Sequence, residues 1–265
     1  MDNNISNKKR IPLKDRQLRY AGQSLEDEVD SLRWGIALHI ALSFLFIALA
    51  FVEWWQWYRN LPPTPVFYGG VAVVVVIYSS VRILQFQKRL HNYRLGLTGE
   101  REVGQILNKL TLQGYTVFHS VTDGKFDIDH VVVSPHGIFA IETKTYSKPS
   151  RGEAKVRFDG KQITLTGHSP DAKPVMEAVR HSSWLRQKLG NKVSERKKFP
   201  VKPVVVYPGW WRDPKDIEKD IWVLNPGMLE VQISREPVSL TEEDIAIAKA
   251  RLEPYTTDPT EDLIE

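Results

Sequence analysis

Two long apolar runs dominate the first third of the chain. Trp34–Val52 (WGIALHIALSFLFIALAFV) is 19 residues without an ionised side chain, and only His39 and Ser43 are polar. A bilayer core takes about 20 mostly apolar residues as a helix, so the run predicts a membrane-spanning helix. Val66–Val81 (VFYGGVAVVVVIYSSV) is shorter. It reaches spanning length if Arg82 snorkels and Ile83 and Leu84 join it. Its valines suit a strand in water, but a single lipid-facing segment must be helical. Between the runs, Glu53–Pro65 (EWWQWYRNLPPTP) places Trp54, Trp55, Trp57 and Tyr58 at the expected interface. Pro62, Pro63 and Pro65 then turn the chain back. A cleaved leader ending near Ala48-Leu49-Ala50 is the competing reading. It conflicts with the 33 mixed-charge residues before the run and with the second run after it.

Beyond residue 96 the periodicity changes. Leu97–Leu110 has apolar residues at 103, 106, 107 and 110, one face of a helix, with Thr98 as a cap and Gly114 as its end. Tyr115–Val121, Ile128–Val133 and Ile138–Lys144 read as strands, the last two joined by the turn Ser134-Pro135-His136-Gly137. A hairpin follows over Lys155–Phe158 and Gln162–Thr166, then a helix over Pro174–Leu189. Lys202–Tyr207 and Ile221–Leu224 read as buried strands, and Leu240–Leu252 as a helix capped by Thr241. This order predicts an α/β fold, a mixed central sheet flanked by helices. The expected organisation is an N-terminal segment (1–33), a hairpin (34–84, spans about 34–52 and 65–84) and a juxtamembrane linker (85–96). A soluble domain (97–255) and a tail (256–265) complete it.

Composition narrows the chemistry. Among 265 residues there is no Cys, which excludes disulfides, zinc–thiolate sites and a cysteine nucleophile. The formal net charge of +4 suggests an anionic partner. Residues 1–95 carry a net +5 and residues 96–265 a net −1, so the excess belongs to the membrane flanks. Lys14, Arg16, Arg19 and Arg33 precede the first run, and Arg82, Lys88, Arg89 and Arg94 follow the second. The linker has only Arg59, so both ends are expected in the cytoplasm, with the chain a two-span protein of the cell (inner) membrane. Two spans without a polar lining argue against a transporter or channel, and His39 reads as tolerated near the boundary. Gly69, Gly70, Ala72, Ser79 and Ser80 permit close helix packing, within the hairpin or in a homo-oligomer. Within the soluble part, residues 141–202 carry a net +9 and residues 203–265 a net −8. Lys155, Arg157 and Lys161 on the hairpin and Arg196, Lys197 and Lys198 in a loop could form a basic face or merely a solvated one.

Chemistry concentrates in Asp127–Lys144 (DIDHVVVSPHGIFAIETK). Glu142 and Lys144, two apart on a strand, share a face. If the strands pair through the 134–137 turn, Asp129 approaches Glu142. Two close carboxylates repel unless a cation separates them, and a hard divalent ion suits oxygen ligands. Lys144 can orient or deprotonate a water, or neutralise charge on a reacting oxygen. Glu100 can add a third carboxylate from the preceding helix. Taken singly, each of these residues also reads as ordinary strand surface.

Several segments occur in a telling order: Gly99-Glu100 with Val103 and Leu107, Asp127-Ile-Asp129-His130 with Val131–Val133, and Gly137-Ile-Phe with Ile141-Glu-Thr-Lys144. This resembles the NERD (nuclease-related) domain of the PD-(D/E)xK nuclease superfamily over roughly residues 97–190. The resemblance implies a restriction-endonuclease-like fold and metal-dependent phosphodiester hydrolysis of nucleic acid, DNA being favoured over RNA. It implies Glu100, Asp129 and Glu142 as ligands of Mg2+ (or Mn2+) and Lys144 as the catalytic lysine. Asp127, His130, Glu177 and His181 are accessory candidates, Asp127 as an outer group and His130 without an assigned role. The family's later helix commonly carries Pro-x-x-Gln followed by His-x-x-x-Leu. Here Pro174, His181 and Leu185 match, but Glu177 stands where Gln is common. Glu177 either binds metal or repels phosphate. The alternative is a catalytically weak or inactive nuclease fold that binds nucleic acid or a protein partner at the membrane.

Overall fold

The computed structural model describes residues 18–59, 65–124, 127–192, 198–212 and 220–256. Lys14, Arg16, Pro62, Pro63, Arg196, Lys197 and the tail beyond Thr256 lie outside the described residues.

Among the described residues, helix α1 (Gln23–Tyr58) and helix α2 (Pro65–Asn108) are the two long and apolar enough to cross a membrane, with mean hydropathies of 2.5 and 1.9 over their most apolar stretches. They pack side by side. Val29, Leu32 and Leu90 are buried between them, with Ile36, Phe86 and Tyr93 around the cluster. Ala72 and Ser79 are buried in the hairpin, whereas Gly69 and Gly70 face open space.

Two features differ from expectation. Helix α1 starts at Gln23, upstream of the apolar run, and α2 continues without a break from the apolar run into the α/β domain. Segment 85–96 is therefore helix, and Leu97–Asn108 is its continuation. Thr98 does not cap anything: its hydroxyl donates to the Arg94 carbonyl at 2.9 Å, satisfied within the helix. The physical reason is that Gln85–Arg94 contains no breaker and its long polar residues favour helix as well as leucine does. A 3-10 turn (Lys109–Gln113) and Gly114, with φ 85°, end the run.

A five-stranded sheet follows in the order β1 (Thr116–Thr122), β2 (Asp127–Ser134), β3 (Gly137–Thr143), β6 (Val201–Val206), β7 (Trp222–Leu224). The β1–β2 and β2–β3 pairs are antiparallel; β3–β6 and β6–β7 are parallel. Ser134 pairs with Gly137, so the turn is the two-residue Pro135-His136. The sheet is mixed because β3 reaches β6 through the crossover containing helix α3 (Lys173–Leu189).

Alternation along the strands feeds two cores. On one face Ile138, Ala140, Val131 and Val133 pack against Trp184, Leu185 and Leu189 of α3 and against Ala248 and Leu252 of helix α5 (Glu242–Leu252). On the other, Val132, Phe139, Ile141, Val204 and Val206 meet Val103, Leu107 and Leu110 from the end of the α2 arm. Leu229 and Ile233 of helix α4 (Leu229–Arg235), an element the periodicity did not predict, complete that face. Leu107 is fully buried, and truncating such a leucine costs about 2–5 kcal/mol. The small hairpin β4 (Val156–Phe158) and β5 (Ile163–Leu165) closes a third cluster over β6 and β7. Its turn is held by the Asp159 carboxylate, which accepts the N–H groups of Lys161 and Gln162.

Candidate active site

The site forms where the β2–β3 ladder stops. Their pairing runs from Ser134↔Gly137 to His130↔Ile141. At the next position the Asp129 carboxylate, not a backbone carbonyl, accepts the Thr143 N–H, at 2.6 Å. On its other side β3 stays paired with β6, and the Lys144 N–H donates to the Val206 carbonyl at 2.9 Å. The end of β3 is thus pinned to β6 while Asp129 spaces it from β2.

Glu142 and Lys144 share the α3 side of the sheet, as their spacing requires. Lys144 Nζ lies 2.7 Å from Glu142 Oε1 and 3.0 Å from Glu177 Oε2. His181 Nδ1 donates to Glu142 Oε2 at 2.9 Å. Glu177 and His181 are four apart on α3 and so lie on one helical face. Glu177 also stands 3.9 Å from Lys173 Nζ. Burial alone would raise the Glu142 carboxyl, but the His181 hydrogen bond and the Lys144 charge outweigh it and hold it below its usual value. Burial works against the Lys144 ammonium too, yet the Glu142 charge wins and raises its pKa.

Glu100 comes in from α2 and is buried. Burial, then the charges of Asp127 and Glu142, push its carboxyl up to about 8. Asp129 is raised well above the usual carboxylate range, by burial and then by Glu142 and Glu100. Asp127 Oδ1 is buried without a hydrogen-bond partner. The charges of Glu100, Asp129 and Glu142 thus act on one another at the mouth of the splayed strands, with Asp127 beside Glu100 and Lys144 among them. Among the described residues, no three acidic or histidine side chains stand close enough to hold one ion as they are oriented. The donor set is nonetheless hard oxygen, and mutual repulsion is what a divalent cation would relieve.

His130 belongs elsewhere. It is fully buried under α2, and its Nδ1 lies 2.9 Å from Nδ1 of His119, whose Nε2 meets Asn108 Oδ1 at 3.0 Å. An Asn carbonyl oxygen only accepts, so His119 donates from Nε2 and accepts at Nδ1. His130 joins β1, β2 and α2 and faces away from Lys144. Of the eight sequence-derived residues, Glu100, Asp127, Asp129, Glu142, Lys144, Glu177 and His181 converge by their side chains; His130 lies on the other face of the sheet and comes up against the backbone of Glu100 rather than its carboxyl.

Sequence reasoning missed what lets α2 deliver Glu100. A Cβ on Gly99 would lie 1.8 Å from Thr145 Oγ1. Only glycine lets the helix approach the end of β3 this closely. Gly99 was legible beside Glu100, but its contact partner, 46 positions along the chain, was not.

Residues 95–208 match the family model described as NERD, nuclease-related domain. An uncharacterized protein of Bacillus anthracis is 33% identical over 81 residues, covering 29% of this chain and 35% of that protein. The chain thus aligns with about a third of the length of this curated relative. No solved structure matches.

Proposed function

We propose that this nuclease-related domain is a metal-dependent phosphodiesterase acting on nucleic acid, with DNA favoured over RNA, and held at the cytoplasmic face of the cell membrane by the α1–α2 hairpin. The observation that carries the reading is the meeting of Glu100, Asp129, Glu142 and Lys144 at the splayed end of β2 and β3. Glu100, Asp129 and Glu142 would hold Mg2+ or Mn2+, which supplies Lewis-acid activation of a water and neutralises phosphoryl charge. Lys144 acts as a cation rather than a base, since its raised pKa keeps the ammonium charged. It stabilises negative charge on a non-bridging phosphate oxygen. Glu142 and His181 orient that ammonium, and Asp129 holds the gap between the strands open by occupying the Thr143 N–H. The Lys and Arg residues at the outer ends of both apolar runs, against Arg59 alone between them, support the cytoplasmic placement.

The full chain in detergent, given plasmid DNA, linear DNA and RNA with Mg2+ or with chelator, tests this reading. Cleavage that needs the divalent ion is the expected result; none on any substrate with any divalent ion contradicts it.

One observation favours a second reading. Glu177 occupies Lys144 where a substrate phosphate would bind. A domain kept in that state binds nucleic acid or a protein partner without turnover, and salt-sensitive binding in the absence of cleavage would identify it.

A further inference from the structure

An open groove of about 660 Å3 lies at the end of the sheet that carries the carboxylate–lysine site, within the size range of small-ligand clefts. Its walls are the loop leaving β3, through Lys148 and Pro149 to Lys155, and the loop leaving β6, through Gly209 and Trp211. Parallel β3 and β6 send both loops out at the same end of the sheet, the end that carries Glu142 and Lys144. In α/β sheets ligands gather outside the carboxyl ends of such strands. The loops are tied between site and groove by Trp210 Nε1, which donates to the Tyr146 carbonyl at 3.3 Å.

Trp211 is the unusual wall. Trp184, Trp210 and Trp222 of this domain are buried, whereas Trp211 is 54% exposed. Its backbone is locked: its N–H donates to Ala154 and its carbonyl accepts from Val156, each at 2.8 Å. The backbone from which the indole projects is thus pinned to the neighbouring loop. Lys155 Nζ sits 5.4 Å from the ring centroid, and Glu153 pairs with that ammonium at 2.5 Å. Lys148 has no ion pair among the described residues, and it lies directly over Gly209. Gly209 has φ +73°, and a Cβ there would stand 2.7 Å from Lys148 Nζ. Exposed Arg151 and Arg157 extend the basic character beyond the groove.

We infer that this groove binds an unpaired nucleotide of a nucleic-acid single strand, its base stacked on Trp211 and its phosphate on Lys148. This rests on the nuclease reading above and adds to it a preference for substrates with single-stranded character. An exposed indole on a pinned backbone takes any base on its π-face, and an ammonium beside it with no ion pair among the described residues takes the backbone charge. Bases in an intact duplex are already stacked and cannot use that face.

Fluorescence anisotropy of the full chain in detergent, with chelator and labelled oligothymidylate or a blunt duplex of equal length, tests the inference without turnover. Trp211→Ala is expected to weaken single-strand binding about tenfold, and Trp211→Phe to keep most of it. Lys148→Gln is expected to weaken it as well and to reduce the salt slope by about 0.7. Duplex binding should change far less in all three. If Trp211→Ala melts early, Trp211→Phe and Lys148→Gln carry the test. Wild-type single-strand affinity in every variant overturns the inference, as does a wild type that binds no single strand. Strand binding through Trp211 without cleavage under any divalent ion removes the nuclease reading and leaves the groove. Cleavage with Trp211-independent binding removes only the groove.

Discussion

Glu177 Oε2 lies 3.0 Å from Lys144 Nζ, so the lysine at the mouth of the site is shared between two carboxylates, one on β3 and one on α3. Glu142 is the partner that holds Lys144 against the sheet. Glu177 is the one a phosphate must displace. Glu177→Gln removes that competition and keeps a hydrogen-bonding side chain of the same shape. The variant is expected to bind nucleic acid several-fold more tightly and to cut faster, read by anisotropy and by initial rates. Weaker binding and slower cutting would instead make Glu177 a working ligand.

The approach of α2 to β3 depends on Gly99. Gly99→Ala places a methyl group against the Thr145 side chain, and overpacking of this kind costs about 1–3 kcal/mol. Denaturant midpoints should show that loss, and Thr145→Ala should recover part of it in the double variant. Additive effects of the two substitutions would mean that the contact is not made.

His119 sets a pH limit on the fold. Burial lowers its pKa to about 4, against about 6.5 for an unfolded imidazole. Between those values the unfolded chain binds the extra proton. The His119 contribution is therefore complete above about pH 6.5 and is lost as pH falls through about 4, by roughly 3 kcal/mol in all. Urea unfolding of wild type and His119→Asn at pH 7 and pH 4.5 measures it. The gap between the two should narrow at the lower pH, and a constant gap contradicts the assignment.

Much of this site is local in the sequence, and that part was legible. Two-residue alternation put Glu142 and Lys144 on one face, and the Pro135-His136 turn brought β2 against β3. What escaped depends on distant packing. The pairing of Glu177 with Lys144 and of His181 with Glu142 crosses from α3 to β3, which no periodicity encodes. The α2 helix was divided at Leu84 because polarity changes there. Helix propensity does not change, so the backbone continues from the apolar run to Asn108. Helix α4 buries only Leu229 and Ile233, too few positions to reveal a period. His130 shares a motif with Asp129, but the next residue along a strand faces the other side, and His119 is its partner.

The absence of cysteine makes topology directly measurable. Arg59→Cys, between the two apolar runs, should react with a membrane-impermeant maleimide added outside intact cells. Leu112→Cys, at an 89% exposed position of the α/β domain, should react only after permeabilisation. The reverse pattern would place the domain outside, and equal labelling of both in intact cells would remove the spanning hairpin.

Lys144 is the residue on which the nuclease reading turns. The most direct measurement compares wild type with Lys144→Ala on DNA in Mg2+, alongside circular dichroism of both proteins. A lysine that stabilises transition-state charge is worth roughly 100-fold or more in rate. The expected result is divalent-dependent cleavage by wild type, lost by at least that factor in a variant that remains folded. Cleavage by a folded Lys144→Ala variant at the wild-type rate would contradict the assignment of this site.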